Sequence, residues 1–340
     1  MKTLPGTALV TGSAGFIGHA LCARLLADGW RVTGIDAVTD YYDPALKRAR
    51  LDKLRAFPGF TEVEARIEEP GRLYTLMGKR PDIVVHLAAQ AGVRHSIEAP
   101  ETYVEANLVG TFRLLEAARA HPPRHMLLAS TSSVYGANTT MPYAETHKAD
   151  TPMSFYAATK KATEAMAHSY AHLYDLPTTM FRFFTVYGPW GRPDMAPMLF
   201  ADAAFAGRPI RVFNHGDMAR DFTFISDLVE AVVRLAGAVP ERAANGDDIA
   251  EGDSLSPVAP FRVVNIGNAA PVRLLDFIAA IESASGRSLQ KDMHPMQPGD
   301  VPATWADTRL LERLTGFRPA TPIGDGVEQF IRWYRGYFGV

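Results

Sequence analysis

The chain has a single cysteine, Cys22, so it cannot close a disulfide on itself. That residue falls among the apolar positions of an amphipathic stretch, where a buried, inert thiol is expected, and a reducing cytoplasm fits. An excess of charge is also missing: 35 Lys and Arg face 37 Asp and Glu, for a net charge of −2. Such a balance leaves no field to gather nucleic acid or an anionic membrane surface, so any anion must be bound locally. No apolar run approaches the roughly 18 residues of a membrane-spanning helix, although 47% of the 340 residues are hydrophobic. No internal repeat is present and no metal is expected. Residues 1–5 run straight into a strand without the apolar stretch of an export signal. These absences leave a soluble globular chain, long enough for one large domain and a smaller lobe.

What is present is an alternation of apolar runs and amphipathic stretches. Strands are expected near 8–11, 31–35, 60–65, 83–87 and 126–129, with helices over 15–27, 45–55 and 101–120. This βαβ rhythm predicts a Rossmann-type doubly wound parallel sheet with helices on both faces and ligands at the carboxyl ends of its strands. Beyond residue 185 the pattern loosens. Shorter strands at 211–213 and 262–266, with helices near 227–238, 274–285 and 326–338, read as a smaller α/β C-terminal substrate lobe. The expected division is therefore 1–185 for the dinucleotide-binding domain and 186–340 mainly for substrate, with some segments returning to the first domain. Residues 240–260, rich in Ala, Gly, Asp, Ser and Pro, read as an exposed, mobile insertion.

The first strand leads into Gly12-Ser13-Ala14-Gly15-Phe16-Ile17-Gly18, a glycine-spaced turn that opens a helix. Glycines at these positions let the backbone turn tightly and approach a pyrophosphate, which the helix N-terminus stabilises. Three glycines alone could equally mark a packing turn. Asp36, at the end of the second strand, adds a carboxylate placed to bind both ribose hydroxyls and to repel a 2′-phosphate. Ala37 and Val38 follow it rather than an arginine, so the expected cofactor is NAD rather than NADP.

Tyr156 and Lys160 are four residues apart in a stretch that reads as a helix from about Pro152, so both emerge on one face. A lysine cation beside a tyrosine favours the tyrosinate, which can take a hydroxyl proton while hydride leaves the same carbon. The spacing alone proves little. Its position after a fifth strand and after Ser130-Thr131-Ser132-Ser133, whose hydroxyls can face a ligand, gives it weight.

Together the glycine turn, Thr131 and the Tyr156/Lys160 pair resemble the extended short-chain dehydrogenase/reductase family. Further segments look like its UDP-glucuronate 4-epimerase branch: Tyr41-Tyr42-Asp43, His86-Leu87-Ala88-Ala89-Gln90-Ala91-Gly92-Val93-Arg94, Ser132-Ser133-Val134-Tyr135-Gly136, Arg182-Phe183-Phe184-Thr185-Val186-Tyr187-Gly188-Pro189-Trp190-Gly191-Arg192-Pro193-Asp194 and Met296-Gln297-Pro298-Gly299-Asp300-Val301-Pro302. The resemblance implies that Leu87, Ala88, Ala89 and Asn107 line the cofactor, with Gly12, Gly15, Phe16, Ile17, Gly18, Asp36, Tyr156 and Lys160. It implies that Arg192 and Arg220 hold the UDP diphosphate and that Asp300 meets the uridine ribose. Thr131, Ser132, Ser133 and Thr185, with Arg94, would hold a sugar carboxylate. One departure concerns the adenine, where Arg66 stands at a position that is often Asp.

The resemblance further implies a homodimer through the helices near 101–120 and 152–175, and a reaction in which a transient 4-keto sugar is reduced on its other face. A decarboxylase or a neutral-sugar epimerase on the same scaffold is the alternative, and a non-catalytic dinucleotide-binding regulator a remote one. Related decarboxylases and dehydratases commonly carry an acidic residue before Val134, whereas this chain has Ser133.

Overall fold

Short runs of β-branched and apolar residues form the strands of the computed structural model, which describes residues 5–297 and 300–340. In chain order they are Thr7–Thr11 (β1), Arg31–Asp36 (β2), Phe60–Glu64 (β3), Ile83–His86 (β4), His125–Ala129 (β5), Thr178–Phe183 (β6), Thr185–Tyr187 (β7), Ile210–Val212 (β8), Ala219–Phe224 (β9), Phe261–Ile266 (β10), Pro271–Arg273 (β11) and Lys291–Met293 (β12). Seven of them make one sheet in the order β10-β6-β5-β4-β1-β2-β3, and every pairing in it is parallel.

Period-two alternation sends the side chains of this sheet into two cores. Ala8, Val10, Val32, Val85 and Phe181 pack with Leu21 and Leu25 of helix Phe16–Ala27 and with Leu228 and Val232 of helix Ile225–Leu235. Leu9, Ile35, Val84, Met126 and Met180 face the other way, onto Leu114, Leu115, Ala167 and Ala171 of helices Gly110–Ala120 and Phe155–Tyr174. Each fully buried Leu, Ile or Val contributes about 1.5–3 kcal/mol, so both faces must be covered for the sheet to persist. Strand β1 has β2 on one side and β4 on the other, and the direction of winding reverses there. The crevice beyond the carboxyl ends of β1 and β4 is where such sheets bind ligands.

Sequence reading stopped short of β6, because Thr178, Thr179 and Arg182 interrupt its apolar run. These polar residues are buried but partnered: Thr179 meets His125 Nε2 at 2.9 Å, and Arg182 is paired with Glu164. The strand expected at 262–266 in the substrate lobe is instead β10, at the edge of the main sheet. Its six residues are all buried, with Phe261 and Val263 in one core and Val264 and Ile266 in the other. The single helix expected over 101–120 is interrupted: Pro100–Tyr103 is followed by a π-helical stretch, Val104–Val109, before the α-helix resumes at Gly110. Within 240–260, expected to be exposed, Ala259 is buried, Ser256 Oγ lies 2.8 Å from His168 Nε2, and Asp253 pairs with Arg262 at 2.9 Å. Apolar contact with helix Phe155–Tyr174 and the ion pair to β10 pin this part of the segment down.

A smaller set of elements follows β6. Strands β7 and β9 run parallel, β11 joins β9 antiparallel, and β8 pairs with β12. Helix Leu274–Ser285 packs against helices Ile323–Phe338 and Ala196–Ala206. Among the described residues, no helix is long and apolar enough to cross a membrane.

Candidate active site

The turn after β1 depends on glycine at two points. Gly12 has a φ of +77°, and a Cβ there would lie 2.8 Å from Ala88 N. A Cβ on Gly18 would fall 2.0 Å from Gly12 O. The backbone of the turn thus lies directly against the end of β4. Gly15 caps helix Phe16–Ala27 without a side chain, leaving first-turn N–H groups for an anion. At the end of β2, Asp36 is fixed by Ala14 N at 2.9 Å and Val38 N at 2.8 Å, one on each carboxylate oxygen.

A cleft of about 670 Å³ opens beside this turn, lined by Gly12, Gly15, Phe16, Ile17, Gly18, Asp36, Leu87, Ala88, Ala89, Tyr156, Lys160 and Arg192. Its volume and polar rim suit a dinucleotide, and its glycine cradle and fixed carboxylate match the cofactor's pyrophosphate and ribose. The wall after β3 carries Arg66, Ile67 and Glu68. There the Arg66 guanidinium reaches Glu68 at 2.5 Å, a charge pair where aspartate is usual.

Ser154 caps helix Phe155–Tyr174 by accepting from Ala157 N at 3.1 Å, and the helix aims Tyr156 and Lys160 into the cleft. Burial lowers the Lys160 ammonium to about 8, against the pull of Glu164 one turn on. Burial also raises the Tyr156 phenol, while the Thr131 hydroxyl and the Arg192 cation oppose the rise. The expected lowering is therefore not achieved by the protein groups, since burial outweighs them. Thr131 is itself anchored: its Oγ1 accepts from Ser133 N and donates to Ser133 Oγ, both at 3.2 Å. Ser132 begins the short 3₁₀ turn that follows, and Thr185 opens β7 opposite Phe222.

One further expectation changes. Asn107 does not line the cleft. It is 1% exposed, and its carboxamide is occupied by Gln90 N at 2.8 Å, Gln90 O at 3.1 Å and Thr159 Oγ1 at 3.0 Å. It braces the loop after β4 from behind, from a π-helical stretch of the kind often found at functional sites. Arg192 and Arg220, expected on one diphosphate, have different protein partners. Arg192 borders the cofactor cleft, bound to Asp194 at 3.1 and 2.5 Å. Arg220 donates to Ala219 O at 3.0 Å and Pro302 O at 3.1 Å, with Asp300 and Tyr143 close enough to counter the effect of burial on its charge. Arg94 joins that second group, 3.6 Å from Asp300 and over the Phe213 ring at 5.0 Å. Pro298 and Gly299 of the segment read from the sequence lie outside the described residues.

A model of the NAD dependent epimerase/dehydratase family matches residues 8–249. The chain belongs to that family. As an epimerase/dehydratase it uses NAD, and the cleft's donor set fits that cofactor. It is 52% identical over 327 residues to a probable UDP-glucuronate 4-epimerase of Rhizobium meliloti, covering 96% of each chain. It is 42% identical to UDP-glucuronate 4-epimerase 4 of Arabidopsis thaliana, over 98% of this chain and 76% of that one. Among solved structures, UDP-glucuronic acid 4-epimerase from Bacillus cereus, in complex with UDP-glucuronic acid and NAD, superposes with a TM-score of 0.86 at 31% identity, over 97% of this chain and 99% of the other.

This epimerase/dehydratase also carries site residues that sequence reading passed over. Lys47 lines the cleft and donates to Thr39 O at 2.7 Å. Arg50, on the same helix, is fully buried. Their signal was present, since both interleave with Leu46, Leu51 and Leu54 on the apolar face of helix Pro44–Arg55, where a cation needs a reason. Ser130, already read from the sequence as part of the hydroxyl cluster after β5, borders the cleft and donates to Glu164 at 2.7 Å.

Proposed function

We propose that this chain inverts C4 of UDP-glucuronate to give UDP-galacturonate, through a 4-keto sugar that turns over within the site. The observation that carries the reading is one juxtaposition. A carboxylate-free hydroxyl turn, Thr131-Ser132-Ser133, adjoins the Tyr156 phenol, which shares the cleft with Lys160 and the dinucleotide turn. Likeness to epimerases that act on UDP-glucuronate supports the choice of sugar.

Bound NAD supplies the hydride acceptor for C4 and, later, the donor. Tyr156 takes the 4-hydroxyl proton, with Thr131 positioning the hydroxyl and the Lys160 cation stabilising the tyrosinate. Tyr156 returns that proton once the keto sugar presents its other face. Arg220 and Arg192 secure the diphosphate by charge-assisted hydrogen bonds, so the reactive sugar can rotate without leaving. Asp300 takes the uridine ribose. A 4-keto uronate can lose CO₂, so hydroxyls of Thr131, Ser132, Ser133 and Thr185, with Arg94, hold its carboxylate in the ring plane, where C–C cleavage is stereoelectronically poor.

On this reading residues 1–185 bind NAD, residues 186–340 mainly bind UDP-sugar, and the enzyme is a cytoplasmic homodimer. Exposed Val104, Phe112, Leu173 and Tyr174 on the two helical stretches support that pairing. Incubation of the purified protein with UDP-glucuronate and no added cofactor, followed by NMR, tests the assignment. UDP-galacturonate is the expected product. UDP-pentose with CO₂, or no turnover, would overturn it.

A further inference from the structure

Arg50 is 0% exposed, yet among the described residues no carboxylate is a hydrogen-bond partner of its guanidinium. Its Nη1 donates to Ala14 O at 2.9 Å and to the Tyr42 hydroxyl at 2.6 Å, while Nη2 donates to Trp190 O at 2.6 Å and Gly191 O at 3.1 Å. Sealing a guanidinium against neutral acceptors is costly, and an apolar side chain would fill the space more cheaply. What the cation achieves is a bridge between stretches far apart in the chain: the glycine turn at Ala14 and the segment that delivers Arg192.

Both tied parts border the cofactor cleft, one through Gly15 and Gly18, the other through Arg192. The segment is fastened a second time at its outer edge, where the Tyr41 hydroxyl donates to Asp194 Oδ2 at 3.0 Å and Asp194 grips Arg192. Between these points Trp190, at φ +66°, packs against His19 at 5.6 Å, Trp333 at 5.3 Å and Tyr337 at 5.0 Å. The segment is thus stiff, and Arg50 decides where it sits across the cleft.

We propose that Arg50 is a positioning residue that clasps the Trp190–Arg192 segment to the dinucleotide turn, and that this clasp sets how long NAD stays bound. A reaction that returns its hydride to the same sugar needs a cofactor that outlasts many turnovers, and the clasp provides it. The inference rests on NAD occupying the cleft and not on which sugar is converted.

The test uses holoenzyme without sugar. Wild type, Arg50→Met and Arg50→Lys are passed through gel filtration, and retained NAD is assayed after denaturation. Release is then timed by displacement with excess NADH, followed by nicotinamide fluorescence. Arg50→Met should release NAD at least roughly tenfold faster, as loss of several buried hydrogen bonds allows, with Arg50→Lys between. Folded Arg50→Met that keeps NAD as long as wild type overturns the proposal. Should Arg50→Met fail to fold, Arg50→Lys, which keeps the charge but cannot reach all four acceptors, decides: faster release supports the clasp, and wild-type release overturns it. A wrong sugar assignment would leave these release rates unchanged.

Discussion

Arg182 donates from Nε and Nη2 to the two oxygens of Glu164, each at 2.9 Å, with both side chains nearly sealed from water. Ser130, which borders the cofactor cleft, donates to the same carboxylate at 2.7 Å. Glu164 belongs to helix Phe155–Tyr174 and Arg182 to β6, so the pair ties that helix to the sheet, and Ser130 ties in the end of β5.

Removing one partner of such a pair leaves a buried charge unmatched, which costs about 3–5 kcal/mol. Glu164→Gln should lose about that much in urea unfolding. Burial alone would raise the Glu164 carboxyl, but Arg182 draws it from 4.5 down to about 2. A folded-state value below the unfolded one contributes stability that is complete above pH 4.5 and fades as pH falls toward 2. The variant should show a flatter acid limb, and an unchanged limb would contradict the assignment.

Glu145 behaves in the opposite sense. Burial raises its carboxyl from 4.5 to about 7, while Asn265 N, at 2.8 Å, partly counters the rise. The folded state keeps a proton that the unfolded chain has lost, so stability drains away as pH rises from 4.5 to 7. Glu145→Gln keeps the acceptor and removes the penalty. At pH 8 it should be more stable by about 2–3 kcal/mol, seen as a higher Tm, with little difference at pH 4.5.

Tyr156→Phe should lower kcat by about 10²–10⁴ while NAD content, read by absorbance, stays at the wild-type level. Near-normal turnover would remove the phenol from its role as base.

Ser133→Glu places a carboxylate in the hydroxyl turn that is assigned to the sugar acid. Product analysis by NMR should show UDP-pentose rising at the expense of UDP-galacturonate. An unaltered product ratio would mean that the turn does not govern the carboxylate.

The βαβ rhythm, the glycine turn, Asp36 and the Tyr156/Lys160 pair were legible in the sequence because each rests on local periodicity or short spacing. Strand β6 was not, since Thr179 and Arg182 become tolerable inside only through His125 and Glu164, partners distant in sequence. Strand β10 was legible as a strand but not as part of the main sheet, because pairing is set by tertiary packing. Asn107 was assigned to the cofactor on family likeness, and only the geometry shows its amide already spent on Gln90 and Thr159. Arg50 was legible as a cation on an apolar helix face, but its partners were not: its four acceptors are three carbonyls and a phenol, and carbonyls leave no trace in residue identity.

The edge position of β10 bears on how the chain is made. Until residue 261 has left the ribosome, β6 has no neighbour on its outer side, and its row of amides and carbonyls stands open. A nascent chain is therefore vulnerable to mispairing through much of its synthesis. The same logic makes a fragment ending near residue 185 a poor candidate for independent life.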